Sequence, residues 1–123
     1  MQLEVIEYEF SVCKLKSTAQ IQMKSEFFFI GKTDEEISLV CLTKQIPSDV
    51  IVHEDGWRAL RVKGVLDFSL TGILAKISGI PANAKIGIFA VSTYNTDYIL
   101  MKKESFENAL NVLSDAGYYV LKS

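Results

Sequence analysis

The only histidine of the chain, His53, stands beside Glu54 and Asp55. A catalytic base needs a nucleophile within hydrogen-bond reach and a third group to orient it. The sequence around His53 offers no such pair, so it reads as a solvated loop histidine. Cys13 and Cys41 have no CxxC spacing and no histidine cluster nearby, which argues against zinc. Both fall in runs that read as strands, and they read as buried, reduced thiols. Asp34-Glu35-Glu36 reads as a solvated acidic turn rather than a metal site, and Trp57 as a core or interface anchor. What remains are two stretches rich in hydrogen-bonding groups: Asp67 to Gly72, and Ser92-Thr93-Tyr94-Asn95-Thr96-Asp97.

The elements that must carry these stretches are legible from periodicity. Leu70, Ile73, Leu74, Ile77 and Ile80 form one apolar stripe of an α-helix. Asp67 and Ser69 are its candidate N-caps, and Pro81 marks its end. Phe106, Ala109, Leu110, Leu113 and Ala116 form a second stripe, with Ser105 as N-cap and Gly117 as a left-handed stop. Trp57 to Lys63 reads as a strand. Ile86 to Thr93 is nearly all apolar or β-branched and reads as a central buried strand. Asp97 to Lys102 reads as its hairpin partner across a Tyr94-Asn95-Thr96-Asp97 turn. Tyr118 to Leu121 is a last short strand.

The order from Trp57 onward is therefore β-α-β-β-α-β, the ferredoxin-like unit: a four-stranded antiparallel sheet with both helices on one face. The first half is strand-rich. Glu4 to Leu15, Glu26 to Ile30 and Ile37 to Leu42 read as strands around a Gly31-Lys32-Thr33-Asp34 turn region. Ser17 to Ser25 allows a helical turn or two, and Lys44 to Asp55 reads as loop. No Gly-, Ser- or Pro-rich linker separates the halves, so they are expected to pack as one body, divided as 1–56 and 57–123.

Composition bounds the function. The 123 residues are 49% apolar and 23% charged, an ordinary globular balance that buries on the order of two-thirds of the unfolded surface. A net charge of −2, from 13 basic and 15 acidic side chains, leaves no footprint for nucleic acid or anionic lipid. The start, Met1-Gln2-Leu3-Glu4-Val5, lacks the basic and apolar regions of a signal peptide, and no apolar run is of membrane-span length. A cytoplasmic location is the expectation.

The run from Val62-Lys63-Gly64-Val65-Leu66-Asp67-Phe68-Ser69-Leu70-Thr71-Gly72 to Ile77 resembles the first loop and helix of an ACT domain. Ile88-Phe89-Ala90-Val91-Ser92-Thr93-Tyr94-Asn95-Thr96-Asp97-Tyr98-Ile99-Leu100 resembles its second and third strands. Both look like small bacterial proteins of two ACT-like units, the regulatory ACT pairs of aspartate kinases and the eukaryotic cytosolic arginine sensors. The first half resembles a degenerate ACT-like unit. One departure is Lys85, where many relatives carry glycine; Asn83 and Gly87 are the neighbours that would relax that turn.

The resemblance implies a ligand site at Val65, Leu66, Asp67, Phe68 and Ser69, facing Ser92 to Asp97, for a free amino acid at an interface between units. Unpaired N–H groups from about Phe68 to Gly72 would suit the carboxylate, with Gly72 allowing close approach. Asp67 and Asp97 are both candidates for the ammonium. Ser92, Thr93 and Asn95 add hydrogen bonds, and Phe68 or Tyr94 walls the pocket. Asp67 reads equally as a helix cap, and Asn95 and Asp97 as turn residues.

The implied function is a non-catalytic, amino-acid-binding regulator without cofactor or metal. It is expected as a homodimer whose output passes through self-association or an unidentified protein partner, with no nucleic acid or membrane involved. The alternative is a structural module that dimerises through its sheets without a ligand. An acylphosphatase-type enzyme would need an arginine in Val65-Leu66-Asp67-Phe68, which has none. RNA recognition would need more aromatic residues on the central strands than Phe89.

Overall fold

A computed structural model describes residues 2–63 and 73–122. The elements are β1 (Gln2–Leu15), a 3-10 turn (Thr18–Gln20), β2 (Phe28–Lys32), β3 (Ile37–Leu42), a second 3-10 turn (Thr43–Gln45), β4 (Val52–Val62), α1 (Ile73–Asn83), β5 (Ile88–Ser92), β6 (Asp97–Lys102), α2 (Lys103–Asp115) and β7 (Tyr119–Leu121). The chain divides into two compact units. A helical unit holds Met1–Glu7 with Arg58–Ser123, and a strand unit holds Tyr8–Trp57. The long strands β1 and β4 contribute to both.

The helical unit has the α+β, ferredoxin-like arrangement, with one addition. Its strand order is β7-β1-β4-β6-β5. The first residues of β1 lie between β4 and β7, and Gln2 to Glu4 pair in parallel with Tyr119 to Leu121. The β1 side chains Leu3 and Val5 join Leu60, Val62, Ile99 and Met101 in one core against Ile77 of α1 and Phe106, Ala109, Leu110 and Leu113 of α2. All six strand residues lie on one face by the period of two, so both helices cover that face.

Four expectations are corrected here. Pro81 lies inside α1, in its last turn, where the missing N–H costs one bond but the helix is already ending. Ser105 is not the N-cap of α2. That position is Lys102, with no side-chain cap bond, because β6 runs straight into the helix. Ala116 is exposed beyond the helix end. Finally, β5 is an edge strand, half-buried at Ile88, Phe89 and Val91; an apolar run reports cover on its faces and says nothing of neighbours at its edges.

Both helices end in the same way. The N–H of Ile86 donates to Pro81 O at 2.9 Å, and that of Lys85 to Ala82 O at 2.9 Å. In α2, Tyr118 donates to Leu113 O and Gly117 to Ser114 O, at 3.1 and 3.0 Å. These are two Schellman caps, each needing a left-handed residue. Gly117 supplies it at φ +99°, as its position suggested, but in α1 it is Lys85 itself at φ +63°. Asn83 and Gly87 do not take the strain. A left-handed non-glycine costs about 1–2 kcal/mol, partly offset by the chain entropy that glycine restores to the unfolded state. Lys85→Gly is therefore expected to stabilise by about 0.5–1 kcal/mol, read as a rise in urea midpoint at unchanged slope. A lower midpoint would show that Lys85 is not strained.

The strand unit repeats the hairpin of the helical unit. Phe28↔Cys41 recurs as Ile88↔Met101, and every pair down to Lys32↔Ile37 and Ser92↔Asp97 follows at a constant offset of 60 residues. The turns match as well. Thr33 N donates to Glu36 O at 2.9 Å, and Thr93 N to Thr96 O at 2.8 Å. The first strand-to-strand turn is thus Thr33 to Glu36, two residues later than Gly31-Lys32-Thr33-Asp34 suggested, because β2 runs on to Lys32.

The helices do not repeat. After β1 stands only the Thr18–Gln20 turn, closed by a capping box between Ser17 and Gln20. After β3 stands only Thr43–Gln45. The core of Cys13, Leu15, Leu39 and Cys41 is covered instead by Ile21, Ile46 and Val50 from the connecting segments. Residues 52–55 belong to β4 rather than to a loop; all four are exposed, and the polar run His53-Glu54-Asp55 hides the strand.

Candidate functional site

Six residues of the expected site, Val65, Leu66, Asp67, Phe68, Ser69 and Gly72, lie outside the described residues. The other five form the β5–β6 corner of the helical unit. Ser92 and Asp97 face each other as the last pair of the ladder. Thr93 closes the turn: its Oγ1 donates to Thr96 O at 2.9 Å and lies 3.3 Å from the Thr96 N–H. Tyr94 is 83% exposed. Asn95 is exposed, and Asp97 half-buried.

The residue that the sequence left out is Thr96. It is only 7% exposed, one of the few buried polar side chains among the described residues. Its Oγ1 donates to Val62 O at 2.9 Å. Val62 ends β4, so this bond ties the turn to the strand end from which the 64–72 segment departs. Nothing in a polar string distinguishes Thr96 from Thr93; only the packing does.

Beside this corner, on the sheet face away from the helices, Arg61 grips Glu4. Its Nε and Nη2 donate to Glu4 Oε1 at 3.1 and 2.9 Å, and its Nη1 to Tyr98 Oη at 3.2 Å. Lys63 Nζ stands 3.7 Å from the same carboxylate oxygen. The hydrogen bond from Arg61 leads in holding the Glu4 carboxyl below its ordinary value of 4.5, with burial working against it.

A depressed carboxylate contributes stability that is present above its unfolded pKa and is lost as pH falls through the lower folded value. Glu4→Gln is thus expected to flatten the acid limb of melting temperature below about pH 4.5, by at most about 1 kcal/mol because the pair is partly solvated. An unchanged acid limb would remove Glu4 from the acid response.

The strand unit holds further polar and thiol groups. Ser11 Oγ donates to Asp55 Oδ1 at 2.7 Å and lies 2.8 Å from Thr43 Oγ1. His53, on β4 rather than in a loop, places Nδ1 2.8 Å from the same Asp55 oxygen. Serine and histidine both address the carboxylate and not each other, so the arrangement is not a nucleophile–base pair. Cys13 and Cys41 are free and buried. Burial, with Cys13 alongside, pushes the Cys41 thiol up to about 12, and burial raises Cys13 too. Neither offers a thiolate at neutral pH. Among the described residues no cluster of His, Cys, Asp and Glu is placed to hold a metal, and no helix is long and apolar enough to cross a membrane.

Cavities on the strand unit include two lined by described residues. One of about 590 Å³ lies between the segment from Lys16 to Gln22 and that from Ile46 to Asp49. Its polar groups are largely committed. Lys16 pairs with Asp49 at 3.2 Å, and Gln20 accepts from the N–H groups of Lys16 and Ser17. The other, of about 340 Å³, lies between the end of β1 and the Thr33–Glu36 turn.

Comparison with known proteins places this geometry. The model of the ACT domain family matches residues 52–115, and a second model, of an N-terminal domain, matches residues 8–49. The human cytosolic arginine sensor for mTORC1 subunit 1 is 29% identical over 119 residues, covering 90% of this chain and 36% of that protein. Its bovine counterpart is 32% identical over 94 residues, covering 71% and 29%. The chain thus spans about a third of the curated relatives it matches. Among solved structures, protein Atu0741 from Agrobacterium tumefaciens superposes with a TM-score of 0.87 at 30% identity, over 99% of this chain and 92% of that one. The ligand-free regulatory subunit of aspartate kinase from Thermus thermophilus superposes at 0.64 and 10% identity, over 95% and 97%, a likeness of fold.

Proposed function

The chain belongs to the ACT domain family, and from that premise we propose that it is a non-catalytic regulatory protein that binds a small amino acid through residues of the 64–72 segment and of the Ser92 to Asp97 corner. The family is a regulatory one; the chain is similar in sequence to cytosolic arginine sensors and shares its fold with a regulatory subunit of aspartate kinase. The observation that carries the reading is the Thr96–Val62 bond, which fixes a polar turn beside the end of β4. Asp97 pairs with the ligand ammonium, and Ser92 and Asn95 add hydrogen bonds. Asp67, Phe68 and Gly72, with Val65, Leu66 and Ser69, are the other residues assigned to the site. The half from 1 to 56 acts as a degenerate ACT-like unit, a reading supported by the repeated hairpin. The protein works in the cytoplasm as a homodimer, and its ligand state passes to a partner protein.

A thermal-shift panel of the twenty amino acids tests this. A ligand at 100 times its Kd stabilises by about 2.7 kcal/mol, several degrees for a domain of this size. Asp97→Ala and Asp67→Ala should each reduce the response of the amino acid that gives it. A flat panel at millimolar ligand would end the sensing reading.

One observation favours a second reading, dimerisation without a ligand. The outer edge of β5 has no strand partner among the described residues, and such an edge pairs readily with another chain. Sedimentation that shows a stable dimer, beside a flat amino-acid panel, would select it.

A further inference from the structure

We infer that Cys13 and Cys41 form a two-coordinate thiolate site for a soft monovalent metal ion, Cu(I), in the core of the strand unit. In the β1–β3 ladder Cys13 lies opposite Leu39, and Cys41 opposite Ser11. The two cysteines are therefore diagonal neighbours on one face of the sheet. They are 2% and 3% exposed and belong to one cluster. Burial leads in holding both thiols protonated, and each thiol also shifts the other's ionisation, so the sulfurs are close. The hairpin needs no thiol at this place: at the repeat of Cys41 stands Met101, fully buried.

The spacing suits a bridging ion better than a disulfide. Diagonal neighbours on paired strands stand about 7–8 Å apart, whereas Cα atoms joined by a disulfide are usually within about 6.8 Å. A metal between the sulfurs lengthens the bridge by one bond. Among the described residues no group of three or more His, Cys, Asp and Glu could hold a metal, so the pair is complete as it stands. Ser11, opposite Cys41, is committed to Asp55 at 2.7 Å. Zinc wants four ligands and is not satisfied by two. Cu(I) is selected by thiolates, and as a closed-shell ion it is content with two of them in line. Neither thiol is ionised at neutral pH, but a coordinating thiol gives up its proton to the metal. Two S–H bonds break, two S–Cu bonds form, two protons pass to solvent, and nothing is oxidised or reduced. The filled site carries one negative charge, which the nearby Asp55 opposes. The way in lies through the connecting segments. Ile46 covers the cluster and also lines the cavity of about 590 Å³, and cover of this kind, without a long helix, opens locally at low cost.

The test titrates the full chain, reduced and free of oxygen, with Cu(I) against bicinchoninate as a competing chelator. One equivalent is expected to bind, with two sulfur ligands and no others by X-ray absorption. The melting temperature should rise, since an ion held by the native state stabilises it. Cys13→Ala and Cys41→Ala should each weaken binding by more than the roughly 10–100-fold that loss of an outer partner of a metal site costs. Amide spectra that keep the wild-type pattern in the helical unit identify the variants as folded. Where a variant does not fold, the coordination in the wild-type complex decides. Failure to compete with the chelator, a third ligand at the metal, or unchanged affinity in either folded variant would overturn the site. A fall in melting temperature would also overturn it, because the ion would then prefer the thiols of the unfolded chain.

Discussion

Leu3→Ala is expected to destabilise the chain by about 2–5 kcal/mol, as much as the same change in the middle of a core helix. Leu3 sits two residues from the N-terminus, where ends usually fray, yet it is fully buried and packs in one cluster with Leu60, Val62, Leu113 and Phe106. The strand that carries it is held on both sides, by β4 and by β7, so the site cannot collapse to fill the cavity. Against a total stability of about 5–15 kcal/mol, the loss is a large fraction. The melting temperature should fall by roughly 10 °C or more. The aromatic signals of Phe106 should change in the variant, since the cavity opens in the helical unit. A fall of under about 1 °C would mean that the first seven residues do not belong to that core. The result also decides how the protein can be cut. A fragment that starts at residue 57 lacks Leu3 and Val5, and is expected to lose cooperative unfolding.

That expectation could not be drawn from the sequence. Periodicity reports which faces of an element are apolar, and on that score the helical unit was readable. Ile77, Phe106, Ala109, Leu110 and Leu113 are buried as their spacing predicted, and β6 begins at Asp97 as its turn residues indicated. Gly117 stops α2 because a glycine announces a left-handed position. Lys85 does the same at the end of α1 without any announcement. Which strand lies beside which is a long-range fact, and no local pattern shows that Gln2 to Glu4 enters between β4 and β7. The 60-residue repeat was hidden for a related reason. Register is conserved by the backbone and by the alternation of faces, while Phe28 and Ile88, or Cys41 and Met101, share only their apolar character. In the candidate site, the polar string from Ser92 to Asp97 was visible as composition. The division of labour within it was not, because Thr93 and Thr96 differ only in what their hydroxyls meet.

Thr96→Val is expected to cost about 1–3 kcal/mol while hardly changing the shape of the side chain. The hydroxyl donates to Val62 O in a buried setting, at 7% exposure. Valine keeps the β-branch but leaves that carbonyl without its donor, and an unpaired buried polar group carries its full desolvation cost. Thr96→Ser is the matched control. It retains the oxygen and loses one methyl group, worth about 0.8 kcal/mol, so it should fall between wild type and the valine variant. Hydrogen exchange at the Thr93 and Thr96 amides should quicken in the valine variant, because their bonds close the turn that the hydroxyl anchors. The binding consequence separates anchoring from general stability. If the corner is one wall of an amino-acid site, Thr96→Val weakens the ligand that protects the wild type even below the melting transition, and Thr96→Ser restores most of the affinity. Should the valine variant match wild type within a few tenths of a kcal/mol, the Val62 carbonyl has another donor and the turn is held by its own ladder alone. Loss of stability with affinity unchanged would keep Thr96 as a structural tie and move the site away from this corner.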